Sequence, residues 1–533
     1  MSSFLYKMND WLDVNCYYTV GRGMFRGLVP YKDLYEQKGP LLYFLYGFAD
    51  LVFPSSYLGG WLLELIAGAC FLFLFYKTVR LFAEKAPLWL IPAAAFAVFA
   101  SFAFAKGGSA EELFLPFFAG TVYTGLKFFY ARAEAPVPLL TVAVQGFCAG
   151  CILWVKFTWL GLYAAWAIVL AVFYIRRGWG GRLAASAGIF VAGAAATTLP
   201  WLIYFGANGA IGDWLKVYIY DNIFLYAGRK DTGFFRGLAS RAGFFLRDMC
   251  FNVFFTLPAL GGLILGTVFR KKCGWNGWTI AAGWAMFGGL LLGIYSASSV
   301  YHYYSLPLAA FAPVFAAPAA AFFARLRESR SASSGEAADA APVADESCAA
   351  ETQAESSSVA ADARSAAAAG LPAGRKRKAV ALALSVVISC CACIAVSGNR
   401  FALGAPERIF PQIAVARTIR EDAASLGEAP TLLNFAGMDG GIYRAAGIAP
   451  NFRYFSSLNV STGEMTERQF AFLSAHGARY AVTYKDEGRE KMKSLPEYEL
   501  IFEGTYYPGE VYKFETVRTW SLYRLSPELE VLS

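Results

Sequence analysis

The chain has 533 residues, of which 57% are hydrophobic, 17% aromatic and only 16% charged. Soluble domains carry about 25% charged residues, so this balance excludes an ordinary soluble domain and points to a polytopic membrane protein with wide lipid interfaces. The formal charge of +8 does not call for nucleic acid as a partner, because Lys and Arg sit mostly in short loops between apolar runs, where they set orientation in the bilayer.

Residues 9–44, NDWLDVNCYYTVGRGMFRGLVPYKDLYEQKGPLLYF, come first and stand out. They hold Asp10, Asp13, Asp33, Glu36 and Lys38 directly before the first long apolar run. Charge this dense belongs at the water boundary. Gly21, Gly23, Gly27, Gly39, Pro30 and Pro40 suit a folded loop better than one long helix. The stretch reads as a catalytic loop on the membrane surface, or as a solvated leader before a span.

A spanning helix needs about 20 mostly apolar residues. Ten runs qualify or nearly so: 57–77, 87–105, 110–130, 137–155, 158–175, 183–205, 251–269, 278–296, 303–323 and 379–398. A further run, 39–53, is short for a crossing and suits a helix lying in the interface. Loop charges decide its fate. If 39–53 does not cross and the 9–44 loop is outside, the basic clusters Lys77/Arg80/Lys85, Lys127/Arg132, Arg176/Arg177/Arg182, Arg270/Lys271/Lys272 and Arg325/Arg327/Arg375–Lys378 all fall inside, as the positive-inside rule requires. The outer side then receives Glu111, Glu112, Lys156, the 206–250 loop and Tyr301-His302-Tyr303-Tyr304.

Residues 326–378 are Ala, Ser, Glu and Asp with almost no large apolar side chains, which predicts a disordered cytoplasmic linker. Residues 399–533 change character. TLLNFAG (431–437), RYAVTY (479–484) and WSLYRL (520–525) read as strands, and 407–426 and 465–476 as helices. Asp439-Gly440-Gly441 is a turn without a phosphate-loop pattern. The expected layout is therefore an external catalytic loop with juxtamembrane helix (1–56), a transmembrane core (57–324), a linker (325–378), a last span (379–398) and an extracytoplasmic α/β domain (399–533).

The ten cysteines suggest neither a zinc site nor a disulfide framework. Six of them (Cys70, Cys148, Cys151, Cys390, Cys391 and Cys393) lie in apolar runs, where Cys behaves as a small hydrophobe. The first 30 residues lack the apolar region of a cleavable signal peptide.

Three elements of the first loop resemble the GT-C superfamily of membrane glycosyltransferases. These are Asp13-Val14-Asn15-Cys16-Tyr17, Gly27-Leu28-Val29-Pro30-Tyr31 and Lys38-Gly39-Pro40-Leu41. The similarity is to the branch with the protein O-mannosyltransferases and the lipid A aminoarabinose transferase, and to the bacterial family-39-like or RgtA/B/C/D-like relatives. It covers the order of spans to about residue 324. Two departures stand out. The usual helix before this loop is missing, so either Met1 is not the true start or a first helix has been lost. The family's Asp-Glu pair is Asp13-Val14 here, so a second carboxylate must come from elsewhere, with Asp10 a candidate. Glu111 and Glu112 match, by topology, an acidic position in the family's next external loop.

The resemblance implies a mainly α GT-C-like bundle of about ten to eleven helices with a small C-terminal α/β domain, in a bacterial plasma membrane. It implies transfer of a sugar from a polyprenyl-phosphate donor to an envelope hydroxyl on a glycopolymer, lipid or protein, with inversion in most relatives. An acceptor hydroxyl needs a base, and Asp13 is the candidate; it also suits a helix cap. The leaving lipid phosphate needs a fixed cation, for which Lys38 is placed; a snorkelling anchor is the other reading. Glu36, Glu111 and Glu112 orient the acceptor or hold a divalent metal, or, for the Glu pair, simply favour a helix N-terminus. Lys156 contacts phosphate or ends a span. His302 and Tyr303 belong to the site or to an aromatic belt. The rival classes are a lipid-linked saccharide transporter, for which no inverted repeat is visible, and a catalytically inactive envelope assembly protein.

Overall fold

A computed structural model describes residues 8–9, 11–54, 56–104, 107–131, 134–226, 234–296, 300–326, 373–396, 410–458, 464–506 and 518–532. Asp10 and nearly all of the expected linker, 327–372, lie outside these residues.

The 9–44 stretch is more helical than its glycines suggest. Helix α1 spans Leu12–Phe25 and α2 spans Pro40–Val52. Gly21 sits inside α1 because α2 crosses it there: a Cβ on Gly21 would meet Gly47 N at 2.5 Å and Gly47 Cα at 2.8 Å. Its role is close helix packing rather than loop flexibility. At about 1.5 Å per residue, α2 is too short to cross a core of about 30 Å.

The membrane part follows in chain order. It comprises α3 (Leu58–Phe82), α4 (Leu90–Phe99) with a 3-10 turn at Phe102–Phe104, α5 (Ala110–Tyr130), α6 (Leu139–Lys156), α7 (Leu160–Arg176) and α8 (Gly180–Ala207). Next come α9 (Ile211–Leu215), which runs into a π-helix at Lys216–Tyr226, then α10 (Phe234–Phe251), α11 (Val253–Val268) and α12 (Gly277–Tyr295). A 3-10 helix, His302–Phe315, continues as α13 (316–326), and α14 is Ala373–Val396. Each of the ten apolar runs overlaps a helix, but the α-helix in 87–105 has only ten residues and 303–323 begins in 3-10 geometry. Among the described residues, five stretches are long and apolar enough to cross a membrane, or six if the bent pair α10–α11 is one span. One of the five, Leu139–Arg176, is a hairpin. Val137 N donates to the Tyr174 hydroxyl at 2.8 Å, so the two ends meet and the fold-back lies at 156–159. The 206–250 segment, expected as a loop, contains helices; α10 meets α11 at 111° beside Asn252, which donates to Ser305 Oγ and accepts from Ala103 N.

The two poles of the bundle differ. At one, the ends of α3, α5 and α7 meet the α11–α12 turn: Phe82 packs on Tyr130, Asn276 donates to the Phe129 carbonyl, and Arg176 lies over Trp278. This pole carries the basic loops. At the other pole lie α1, the α6–α7 hairpin tip, the start of α5 and the start of the 302–315 helix.

The C-terminal residues form a four-stranded sheet, order β1-β2-β4-β3, from β1 (Leu432–Asn434), β2 (Tyr480–Thr483), β3 (Tyr498–Tyr506) and β4 (Arg518–Leu525). β1 and β2 are parallel, and β4 is antiparallel to β2 and β3, with a register shift between Leu500 and Phe502. Among the described residues four helices accompany it: α15 (Pro411–Leu426), α16 (Ile442–Ala446), α17 (Met465–Ser474) and α18 (Asp486–Met492). The three expected strands are present. β3, whose Glu499, Glu503 and Gly504 mask its alternation, was not expected.

Candidate active site

The site begins with a backbone contact. After α1, Gly27 takes φ +92° and Tyr31 takes φ +70°, a region costly for a bulky residue. Local bonds hold this turn: Tyr31 N donates to the Leu34 carbonyl at 2.7 Å, and Val29 N to the Asp33 carboxylate at 2.7 Å. The Tyr31 hydroxyl then donates to the Lys38 carbonyl at 2.6 Å. The Glu36 carboxylate accepts from Lys38 N at 2.8 Å and from the Tyr43 hydroxyl. Glu36 is buried, and burial pushes its carboxyl above the usual range against the opposing pull of Lys38. Gly39 N donates to the Val155 carbonyl at 3.1 Å. A Cβ on Gly39 would collide with the Trp154 carbonyl and reach Val155 N at 2.6 Å. Only glycine allows this approach, and it brings Lys38 beside Lys156.

Lys156 occupies the break between α6 and α7. Trp154 leaves helical geometry (φ −96°, ψ 17°) and Lys156 is extended (φ −159°, ψ 90°). Its ammonium pairs with the Glu111 carboxylate at 2.9 Å and lies 3.2 Å from the centre of the Tyr304 ring and 4.9 Å from that of Trp159. Lys38 and Lys156 line one cavity of about 230 Å³. Its other walls include Val155, Phe157, Tyr218, Ile223, Ile294 and Tyr304. Two cations line a chamber whose walls are otherwise largely apolar, and the Glu111 carboxylate pairs with one of them, Lys156. Such a chamber favours an anion with an apolar tail.

Asp13 lies in the first turn of α1, and its carboxylate accepts from the Tyr303 hydroxyl at 2.7 Å. Trp11 packs edge-on against the Tyr303 ring at 5.2 Å, and Tyr303 is perpendicular to Tyr304 at 4.8 Å. The Asp13 and Lys38 charges both act on Lys156. Buried Tyr17, on α1, feels Asp13, Glu36 and Glu111 together.

Six residues singled out from sequence thus come together: Asp13, Glu36, Lys38, Glu111, Lys156 and Tyr303. Two others make contacts outside this group. Glu112 accepts from Gly108 N at 2.8 Å, and its own N–H donates to the Ser109 cap at 3.0 Å, so it shapes the start of α5. The His302 ring packs on Phe102 at 4.3 Å and meets Tyr303 edge-on at 6.0 Å. Asp10 is among the residues not described. Among the described residues no three of His, Cys, Asp and Glu come together as a metal-holding set, and Glu111 is paired with Lys156.

Several neighbours were not singled out from sequence. Asn222, on the π-helix, donates to the Gln37 carbonyl at 2.7 Å, and Tyr218 donates to the Leu153 carbonyl. Both close the cavity wall. Polar residues spaced four apart in VYIYDN were the available signal.

No protein family profile and no curated protein sequence matches the chain. Among solved structures it is similar to ArnT from Cupriavidus metallidurans bound to undecaprenyl phosphate, with a TM-score of 0.57 and 12% identity over 97% of this chain and 94% of that one. The apo state of the same ArnT gives 0.55 and 13% identity over the same shares. The fold is therefore ArnT-like, from the first helices to the C-terminal sheet.

Proposed function

We propose that the protein is an integral-membrane glycosyltransferase that moves a sugar from a polyprenyl-phosphate-linked donor to a hydroxyl of an envelope acceptor. The pole bearing Asp13 and the C-terminal domain faces outward, in agreement with the loop charges. The carrying observation is the shared cavity of Lys38 and Lys156 beside Asp13. ArnT, whose fold is similar, was crystallised with undecaprenyl phosphate, an anion with a long apolar tail.

The donor phosphate sits between the two ammonium groups, with its isoprenoid chain along the apolar wall. The acceptor oxygen attacks the anomeric carbon as the bond from that carbon to the phosphate oxygen breaks. The electron pair leaves on the phosphate, whose growing charge Lys38 and Lys156 stabilise. The acceptor proton passes to Asp13. Tyr303 fixes the carboxylate, and Glu36 and Tyr31 fix the backbone of Lys38. In-line displacement inverts the anomeric configuration.

The test uses protein in nanodiscs, a panel of polyprenyl-phosphate sugars and candidate acceptors, and the native chain beside Asp13→Asn. Sugar transfer by the native chain that is lost in Asp13→Asn, with donor still bound, supports the reading. Equal transfer by both would move the base elsewhere, and no transfer with any donor would count against an enzyme.

A further inference from the structure

We propose that the C-terminal domain is a positioning device for α1, and that Arg444 is the residue through which it acts. The inference rests on Asp13 being the base. Arg444, on α16, enters a socket built by the membrane-side chain and is only 3% exposed. Its guanidinium pairs with Asp50 of α2 and donates to the Ser56 carbonyl. It also lies 3.7 Å from the centre of the Tyr18 ring and 4.7 Å from that of Tyr57. Asp50 is shared: Arg22 of α1 donates to it through Nε at 2.9 Å and Nη2 at 3.0 Å. One buried carboxylate therefore joins α1, α2 and the C-terminal domain.

The rest of α1 follows the same plan. The Thr19 hydroxyl donates to Asp439 at 2.6 Å, Arg22 Nη1 to the Tyr443 carbonyl at 3.1 Å, and Arg26 Nη1 to the Gly447 carbonyl at 3.3 Å. Positions 19 and 22 lie on one helix face, Arg26 follows directly at the end of α1, and all three bond to residues 439–447. The Gly21 side of the helix is pressed on α2. Residues 14–23 are buried without a break. The placement of α1, and hence of Asp13 at its start, is set by these contacts. A reacting group displaced by about 1 Å can lose about 100-fold in rate. Arg444 touches neither Asp13 nor the cavity; it acts through α1.

The full chain in nanodiscs provides the test, with whichever polyprenyl-phosphate sugar supports transfer in the donor panel. Arg444→Met should lower kcat by about 100-fold and leave the donor KM nearly unchanged, because Lys38 and Lys156 stay in place. Amide exchange should rise across residues 14–23 and remain as in the native chain across 139–176. Arg444→Lys should restore part of both effects, since it keeps the charge without the fork. Should Arg444→Met fail to insert, Thr19→Val, which removes one contact of the same face, carries the same two readouts with smaller changes. Unchanged kcat and unchanged α1 exchange overturn the proposal, as does faster α1 exchange with full kcat. Asp13→Asn is assayed alongside: full turnover there overturns the base assignment, whereas its loss beside an unaffected Arg444→Met overturns the positioning role alone.

Discussion

The Lys156 ammonium and the Glu111 carboxylate meet at 2.9 Å where a span folds back on itself, with Glu111 almost fully buried. A buried charge left alone costs about 3–5 kcal/mol, so each partner makes the other tolerable at this depth. In the proposed reaction the donor phosphate is a further anion for Lys156 and Lys38 to share.

Lys156→Met should therefore cut kcat by about 100-fold, the scale for losing one stabiliser of a developing oxyanion, and raise the donor KM. Glu111→Gln should behave differently. It releases Lys156 for the phosphate, so donor affinity rises while thermal stability falls without donor. Donor binding and melting, each measured for both variants, check this; matching changes in the two variants would count against it.

The Asp13 carboxylate and Tyr303 hydroxyl form the second pair to probe. Loss of a positioned base costs about 100- to 10,000-fold, which is the expectation for Asp13→Asn in single-turnover transfer. Tyr303→Phe removes one hydrogen bond to a charged group, worth about 1.5–3 kcal/mol, and leaves the base in place. Its turnover should fall by about tenfold or more, yet stay above that of Asp13→Asn. A Tyr303→Phe enzyme with native turnover would show that the hydroxyl does not orient the base.

The order of helices and the gathering of Asp13, Lys38, Glu111 and Lys156 at one pole were legible, because apolar run length and loop charge both report on the bilayer. What was not legible depended on contacts distant in sequence. Gly21 and Gly23 look like loop residues until α2 and the Leu34 side chain are seen packed against them. Glu112 looks equivalent to Glu111, but one turns to Gly108 and the other to Lys156. Asp50 in an apolar helix, with Arg22 and Arg444 far apart in the chain, carries no local pattern; the three meet only when the C-terminal domain docks.

Gly39 offers a steric test of the Lys38–Lys156 approach. In Gly39→Ala the new methyl meets the Trp154 carbonyl, and neither backbone can turn aside as a side chain would. Overpacking of this kind costs about 1–3 kcal/mol, and the loop should retreat from the hairpin tip, taking Lys38 with it. Thermal stability and donor affinity should both fall. Gly180→Ala, where nothing lies within 4 Å of the new atom, is the control and should match the native chain in both. A Gly39→Ala protein with native donor affinity would dissociate the loop contact from phosphate binding.

Asp50 sets a pH dependence with a definite sign. Burial works to raise its pKa, but Arg22 and Arg444 outweigh burial and hold the carboxyl below its usual 3.8. In the unfolded chain the group binds its proton more readily, so its stabilising contribution is full above about pH 4 and fades as pH falls through the depressed folded value. Acid should therefore loosen the joint between α1, α2 and the C-terminal domain. Exchange of the 14–23 amides, followed as pH is lowered past 4 with the intrinsic rate divided out, should rise in the native chain. In Asp50→Asn the same amides should be poorly protected already at neutral pH and show a flatter acid response, because the titrating group is gone. An unchanged acid response in Asp50→Asn would assign the titration to another carboxyl, first Asp439, which is buried against Thr19 at the same joint.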